Sequence, residues 1–434
     1  MSNKLSIPRG CSDIVFPEIY QWQTVENLMR EILHVYNYQE IRTPIFEETE
    51  LFARSMGQSS DVVMKQMLNL AAQPAEKNAE LKLSGLSLRP ENTASVVRSY
   101  ILQNLDKLEG LSKLYYIGPM FRGERPQKGR LRQFHQVGVE AIGPFADSPY
   151  LDAEVIALSV DILKTLGLKN FTIKLNSLGS AEDKENFSNW LRRELKDRIL
   201  ELDEEDQSRF ERNVFRVLDS KNKKTRAVID SLAIESSALG AESRIYFDKV
   251  QKALKDMNID FELDSKLVRG LDYYTHTVFE ITSTSLGSQD ALGAGGRYNN
   301  LVNQLGGPNV GAVGFALGIE RILLALPQDQ EVLSIHPDIY VIALDEKSFS
   351  RAWVITNILR QHSISCDICY NIASVKSLMR QANKSKAERV IIIGENELDR
   401  GVITIKNFQD GSQQEISIKN DNYTQLLELT TERL

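Results

Sequence analysis

The feature that most restricts this chain is Lys113–Gly143, where two strand-like runs flank a loop crowded with arginine. Leu114-Tyr115-Tyr116-Ile117 opens an aromatic and β-branched run, and Phe134 to Ala141 forms a second of similar character. Gly123, Pro126 and Gly129 supply the turn between them. Side chains alternate along a strand, so Phe134, Gln136, Gly138 and Glu140 share one face of the second run. His135, Val137, Val139 and Ala141 share the other, which can bury itself on a core. A Gln and a Glu on a sheet face cost free energy unless something hydrogen-bonds to them, and Gly138 beside them leaves a ligand unobstructed. A half-wet hairpin with a basic tip is the plain alternative. Against it stand Arg122, Arg125, Arg130 and Arg132 around one turn, because the guanidinium fork suits phosphate oxygens. The expectation is a hairpin that holds a nucleotide, with Arg on phosphate, Phe134 under a base, and Gln136 and Glu140 on a small polar substrate.

Composition constrains less. At 434 residues the chain has room for two to four domains. Its formal net charge of -7 gives no support to bulk attraction for nucleic acid, although local basic loops act independently of net charge. No apolar run approaches the ~20 residues of a membrane span, and the N-terminal residues lack a signal pattern, so the expectation is a cytoplasmic protein. Cys366 and Cys369 form a lone CxxC in a strand-like stretch. Period two puts them on opposite faces, and no second pair follows, so they read as buried or indifferent thiols rather than metal ligands.

Taken in order, Pro17 starts a helix to about Tyr36, with Trp22, Val25, Met29 and Leu33 at helical spacing. A strand over Gln39–Glu47 follows, and its Pro44 confines it to an edge. A long amphipathic helix running into an edge strand is a natural dimer surface, though its apolar face does not name its partner. A short strand ends at Pro90 and a helix begins at Thr93, which sets Glu91 and Thr93 at a helix N-terminus, as caps or as groups presented to a ligand. Ser180 to about Asp260 reads as a helical insertion of its own with solvated charge runs. In Leu267–Glu280, period two puts Tyr274, His276, Val278 and Glu280 on one face, after a turn at Arg269-Gly270. Gly293-Ala294-Gly295-Gly296-Arg297-Tyr298 matches neither a Walker loop nor a dinucleotide fingerprint. Gly311–Gly318 runs as a strand into a helix carrying Arg321 against the dipole's preference, so an anion is expected near it. After a linker at Pro327-Gln328, strands and helices alternate as a compact α/β domain, with a hairpin turning at Asp410-Gly411.

These stretches together resemble the class II aminoacyl-tRNA synthetases, and among them the histidyl-tRNA synthetase family, over nearly the whole chain. The first helix with Ile41-Arg42-Thr43-Pro44 resembles the first class motif. Phe121-Arg122-Gly123-Glu124-Arg125-Pro126 through Phe134-His135-Gln136 resembles the second, and Gly318-Ile319-Glu320-Arg321 the third. Leu267–Tyr274 and Gly293–Tyr298 are similar to stretches peculiar to the histidine family. The resemblance implies an α+β catalytic domain over 1–328, with an antiparallel sheet flanked by helices and a helical insertion at about 180–260. It implies an α/β anticodon-binding domain over 329–434.

The resemblance also implies a reaction: histidine is activated with ATP to the adenylate, then transferred to the 3′ end of histidine tRNA, by a cytoplasmic homodimer with Mg²⁺ on the polyphosphate and no metal site of the protein's own. It implies Arg122 on the α-phosphate, Arg130 and Arg321 on the γ-phosphate, Phe134 and Arg321 either side of adenine, and Glu124 within the ATP site. Glu91, Thr93 and Gln136 then receive the α-ammonium group, and Glu140 with Tyr274 the imidazole, with Tyr273 in the same pocket. Arg269 and Arg122 are implied to be catalytic, and Arg125 and Gln127 to meet the tRNA acceptor end. Asn299-Asn300 departs from the Asp-Gly common in the family and carries no assigned role. A carboxylate ionised at neutral pH needs no general base to attack phosphorus; it needs in-line positioning and cancellation of charge. Two rival readings are a histidine-sensing regulatory subunit of ATP phosphoribosyltransferase, implied to lack the C-terminal domain and active-site arginines, and an RNA-binding module without exchange activity.

Overall fold

The computed structural model describes residues 5–58, 60–72, 82–108, 110–232, 234, 239–287, 290–327 and 336–431. The chain divides into two compact units, Met1–Glu331 and Val332–Leu434. Of the linker expected at Pro327-Gln328, Gln328 lies outside the described residues.

Among the described residues, the larger unit is built on an eight-stranded sheet. Its order is Gln39–Glu40, Ser112–Phe121, Gln133–Gly143, Gly311–Gly318, Ala291–Arg297, Thr275–Thr282, Thr172–Ser177 and Glu262–Leu263. The six inner strands are antiparallel, and the two-residue outer strands pair in parallel. One face packs on the helices Glu18–Val35, Pro149–Thr165 and Ala241–Asp256: Val137, Val139, Phe279 and Phe315 from the sheet meet Met29, Ile156 and Leu254. The helix Pro149–Thr165 starts with Ser148 accepting from the Tyr150 amide and Pro149 in its first turn, a favourable start. The other face is only partly covered, by the helices Thr93–Leu102 and Asn299–Gln304 and by the helices of the insertion.

Three expectations change here. The strand expected over Gln39–Glu47 is two: Gln39–Glu40 at the edge of the large sheet, and Phe46–Glu48 at the edge of a three-stranded sheet with Lys82–Leu88 and Leu68–Ala72. Pro44 has no N–H to give a ladder, and the Arg89 guanidinium donates to the Thr43 carbonyl at 3.1 Å and its Oγ1 at 3.0 Å, so the chain turns from one sheet to the other around that cation. The region 180–260 is not a body of its own. Helix Ala241–Asp256 belongs to the main core, because Phe247, Val250 and Leu254 fall three and four residues apart and face Pro149–Thr165. The helices before it, from Ala181 to Asp230, share a core with Tyr273 and Tyr274. His276 does not share a face with Glu280: its φ of 43° interrupts the alternation, and its ring lies 5.1 Å from Tyr246 on the packed side.

The smaller unit has the strand order Cys366–Ile368, Ile339–Ala343, Arg389–Ile393, Val402–Asn407, Gln413–Ser417, the first three parallel. Helices Glu346–Gln361 and Val375–Lys384 cover opposite faces. Helices Glu395–Arg400 and Thr424–Thr431 were not legible as apolar periods. Cys369 is buried and Cys366 half-buried, both as free thiols.

One ion pair is sealed inside the larger unit. Arg297 is 0% exposed and donates to Asp152 Oδ1 through Nε at 3.0 Å and Nη2 at 2.5 Å. Thr277 Oγ1 donates to the other oxygen at 2.5 Å, and Asn299 Oδ1 accepts from Arg297 Nη1 at 2.9 Å. The departure at Asn299 therefore has a place: it tethers the buried guanidinium and also accepts from the Ala312 amide at 3.1 Å. Arg297→Met leaves Asp152 buried without its cation and should cost about 3–5 kcal/mol. Urea unfolding followed by fluorescence of Trp22 and Trp190 measures this; a loss within about 1 kcal/mol would show that Asp152 is stabilised by other groups.

Candidate active site

The uncovered part of the sheet floors a cleft of about 620 Å³. The hairpin contributes Arg122, Glu124, Arg130, Phe134, Gln136 and Glu140 to its lining, and the turn before helix Thr93–Leu102 contributes Glu91 and Thr93. Arg269, Tyr273 and Tyr274 come from the segment preceding Thr275–Thr282, and Arg321 from the first turn of helix Ile319–Ala325. The structure thus gathers twelve of the fourteen residues singled out from the sequence. Arg125 and Gln127 stand apart, exposed on the loop tip, where Gln127 pairs with Arg130 to close the turn.

At one end the groups are cationic. Arg122 Nε donates to the Pro90 carbonyl at 3.0 Å, and its guanidinium lies 5.2 Å from the centre of the Phe134 ring. Arg321 donates through Nε to the Gly129 carbonyl at 2.9 Å and through Nη1 to that of Ala291 at 2.5 Å. Burial pulls both arginines below their ordinary value, and Arg130 adds to the pull on each. Glu124, 3.4 Å from Arg130, is a counter-charge at this end, and its charge and that of Glu280 both act on Arg321. Guanidinium groups stay charged through such shifts, so this end has the field to take a polyanion. Arg269 is paired to Glu280 at 2.8 Å, with its Nε buried and unpartnered.

At the other end are two buried carboxylates. Glu91, the residue before the N-cap Asn92, accepts from the first two amides of helix Thr93–Leu102, Thr93 at 2.6 Å and Ala94 at 3.1 Å. Glu140, 1% exposed, accepts from Thr93 Oγ1 at 2.7 Å and from the Tyr298 hydroxyl. Burial pushes Glu140 up to about 8; the hydroxyls of Tyr298 and Thr93 pull it back, and the Glu91 charge raises it further. Tyr116 Oη and Gln136 Oε1 are buried without a partner, so this end presents donors and acceptors to a small polar molecule.

One reading of the residues needs correction. Gly138 does not leave room for a ligand: it leaves room for Tyr116, whose ring would overlap a Cβ there. The hydroxyls bonded to Glu140 are those of Thr93 and Tyr298, while Tyr274 lies in the same lining, raised by burial to about 12. Sequence reasoning quoted Tyr298 without giving it a role; alternation from the inward Arg297 puts it on the cleft side. It also missed Asp219, Lys221 and Arg226, which line the cleft from a segment read as solvated charge. They lie among lysines and other charged residues of the same stretch, and no spacing sets them apart.

Residues 10–322 match the family model described as Histidyl-tRNA synthetase, and residues 338–420 match that described as Anticodon binding domain. A Histidine--tRNA ligase of Halothermothrix orenii is 42% identical over 95% of this chain and 97% of its own length. Another, of Anoxybacillus flavithermus, is 44% identical over 95% and 96%. The chain belongs to the histidyl-tRNA synthetase family. The solved apo histidyl-tRNA synthetase of S. aureus, 34% identical, superposes with a TM-score of 0.77, covering 98% of this chain and 100% of that one. The family accounts for the architecture: a large mainly antiparallel sheet flanked by helices, with a separate α/β unit, is the class II synthetase fold.

A stability effect follows from Glu140. Between its ordinary value of 4.5 and about 8, the folded chain holds a proton there that the unfolded chain has released. Its contribution to stability is therefore full below 4.5, falls as pH rises through that window, and is level above it. Glu140→Gln keeps the shape and cannot ionise. The stability of the native chain relative to this variant should decline from about pH 5 to about pH 9 in parallel urea titrations; a flat difference would place Glu140 in the ionised state throughout.

Proposed function

We propose that this chain is a histidine–tRNA ligase: it activates L-histidine with ATP to histidyl-adenylate, releases pyrophosphate, and transfers histidine to the 3′ end of histidine tRNA. The observation that carries this is the juxtaposition, in one cleft, of the Arg122, Arg130 and Arg321 guanidiniums with the Glu91–Thr93–Glu140–Tyr298 pocket. The cationic end suits a triphosphate, with Arg122 on the α-phosphate and Arg130 and Arg321 on the γ-phosphate. Phe134, with Arg321, takes the adenine. Glu91, Thr93 and Gln136 take the α-ammonium group; Glu140, Tyr273 and Tyr274 surround the imidazole. Arg269 and Arg122 then face the carboxylate and the phosphorus it attacks, and cancel charge as it develops. A pocket whose buried polar groups are answered by an imidazole rejects side chains that leave them unpaired.

Among the described residues no cluster of three metal-ligating side chains occurs. Mg²⁺ commonly takes only one or two carboxylates and completes its shell with substrate phosphates and water, and Glu124, set among Arg122, Arg130 and Arg321, fits that minimal donor set. There Mg²⁺ would supply further neutralisation of the polyphosphate. Arg125 and Gln127, both exposed on the loop tip, meet the tRNA acceptor end, and residues 338–420 read the anticodon. We assign the working form as a homodimer. Val35, Ile45 and Phe46 are exposed apolar side chains and Gln39–Glu40 is an edge strand of the large sheet, features that a second copy would cover. No described helix is long and apolar enough to cross a membrane. Three free cysteines, none paired, suit a reducing cytoplasm. A regulatory subunit that only senses histidine has no need of the arginines lining the cleft or of the second unit, so it is the weaker reading.

Amino-acid-dependent ATP–pyrophosphate exchange tests the assignment: histidine alone of the common amino acids should support it. Arg269→Ala should lower exchange at least about a hundredfold while weakening histidine binding far less; equal losses would remove Arg269 from the transition state. Sedimentation should give twice the chain mass, and a stable monomer with full exchange activity would overturn the dimer.

A further inference from the structure

Between Leu263 and Thr275 the chain forms neither strand nor helix, yet this segment carries Arg269, Tyr273 and Tyr274 into the cleft. Without a ladder, such a segment is placed only as well as other groups hold it. Three of those groups come from the helical insertion, and none of the three lines the cleft itself. Lys184 Nζ donates to the carbonyls of Asp272 at 2.7 Å and Tyr274 at 3.1 Å. Asn213 Nδ2 donates to Asp272 Oδ1 at 2.9 Å, and Arg216 Nη2 donates to the same oxygen at 3.2 Å. Arg216 is 9% exposed while the Asp272 side chain is 30% exposed, so this ion pair is partly withdrawn from solvent screening. On its far side the Asp272 carboxylate lies against Gly57, whose φ of 85° and missing Cβ make the space it occupies. Asp272 is therefore held between the insertion and the loop at Gly57, three residues from Arg269 and adjacent to Tyr273.

We propose that Lys184, Asn213 and Arg216 are positioning residues for histidine activation, fixing through Asp272 the segment that presents Arg269, Tyr273 and Tyr274. The insertion then serves the first half-reaction, in which no tRNA takes part. An insertion that only met tRNA would leave that half-reaction untouched. The proposal rests on the ligase reading above.

The test is pyrophosphate exchange without tRNA, comparing the full-length wild type with Arg216→Met, Asp272→Asn, the double variant, Arg216→Lys, and Arg193→Ala as an exposed insertion control at 72% side-chain exposure. Arg216→Met and Asp272→Asn should each lower kcat about tenfold or more with KM for ATP within about twofold of wild type, since displacement of a catalytic group by a fraction of its bond length falls on the chemical step. The double variant should be no slower than the slower single, because both act through one contact. Arg216→Lys should recover part of the rate, and Arg193→Ala should match wild type. If Arg216→Met does not fold, as judged by a lost thermal transition, Asn213→Ala read in the same assay takes its place, with a fall in kcat and an unchanged KM for ATP expected. Variants whose kcat stays within about twofold of wild type, or losses that multiply in the double, overturn the proposal alone. An inactive wild type overturns the ligase reading and the proposal with it.

Discussion

Glu140 can occupy the floor of the cleft because the strand beside it has nothing there. Gly314 is its partner in the antiparallel ladder, and a Cβ at Gly314 would overlap the carboxylate. On the other side Tyr116 stands opposite Gly138 and fills the space that glycine leaves. The pairing of Gln133–Gly143 with both neighbours thus places Tyr116, Gln136 and Glu140 in the inner pocket. Slipping it by one residue would turn Phe134, Gln136 and Glu140 towards the helices and Val137 and Val139 towards the cleft. Burying a side chain of that size contributes roughly 1.5–3 kcal/mol, so the apolar face holds the polar face in register. The core of the sheet and the aim of its site are one constraint.

That constraint also explains why two opposed electrostatic environments coexist in one cleft. The cationic groups sit near the turn of the hairpin, where the strands end and Glu124 and backbone carbonyls can moderate them. The carboxylates sit towards the middle of the sheet, where Glu140 is screened from water by Tyr116, Tyr298 and the helix Thr93–Leu102. Burial there favours the neutral carboxyl. A cation arriving beside it favours the ionised form, so occupancy and protonation of the pocket are coupled.

Much of this was legible in the residues. Strict alternation over Phe134–Ala141 gave the two faces of the central strand, and the helices whose apolar stripe repeats at three and four residues formed where that period predicts them. The places that resisted are those where a tertiary contact overrides the local pattern. A sheet change at Pro44 is held by Arg89, which lies far along the chain. The alternation at His276 fails because the chain enters the sheet through a residue at positive φ. The cleft-side role of Asp219, Lys221 and Arg226 depends on how helices from Ala181 to Asp230 fold back over the sheet, and the spacing of these three residues holds no period that encodes it. Tyr298 was within reach, because its neighbour Arg297 must face away from it.

A site of this kind is expensive for the fold. Tyr116 Oη, Gln136 Oε1 and Arg269 Nε are buried without partners, and each such group costs on the order of 1–3 kcal/mol. A carboxyl is kept from ionising, and several guanidiniums crowd one end. The hydroxyls bonded to Glu140 and the carboxylates paired with Arg130 and Arg269 offset these terms only in part. The stabilisation comes from the far side of the sheet, where three helices bury a continuous apolar layer, and from the sealed Arg297–Asp152 pair that ties Ala291–Arg297 to helix Pro149–Thr165. The residue after Arg297 is Tyr298, on Glu140. One end of a strand thus anchors in the dry layer and delivers a hydroxyl to the cleft in consecutive residues. The insertion does the same for the irregular segment that no strand supports, reaching Asp272 from the side. Groups poised for a ligand stay poised when their neighbours in sequence are committed to the core.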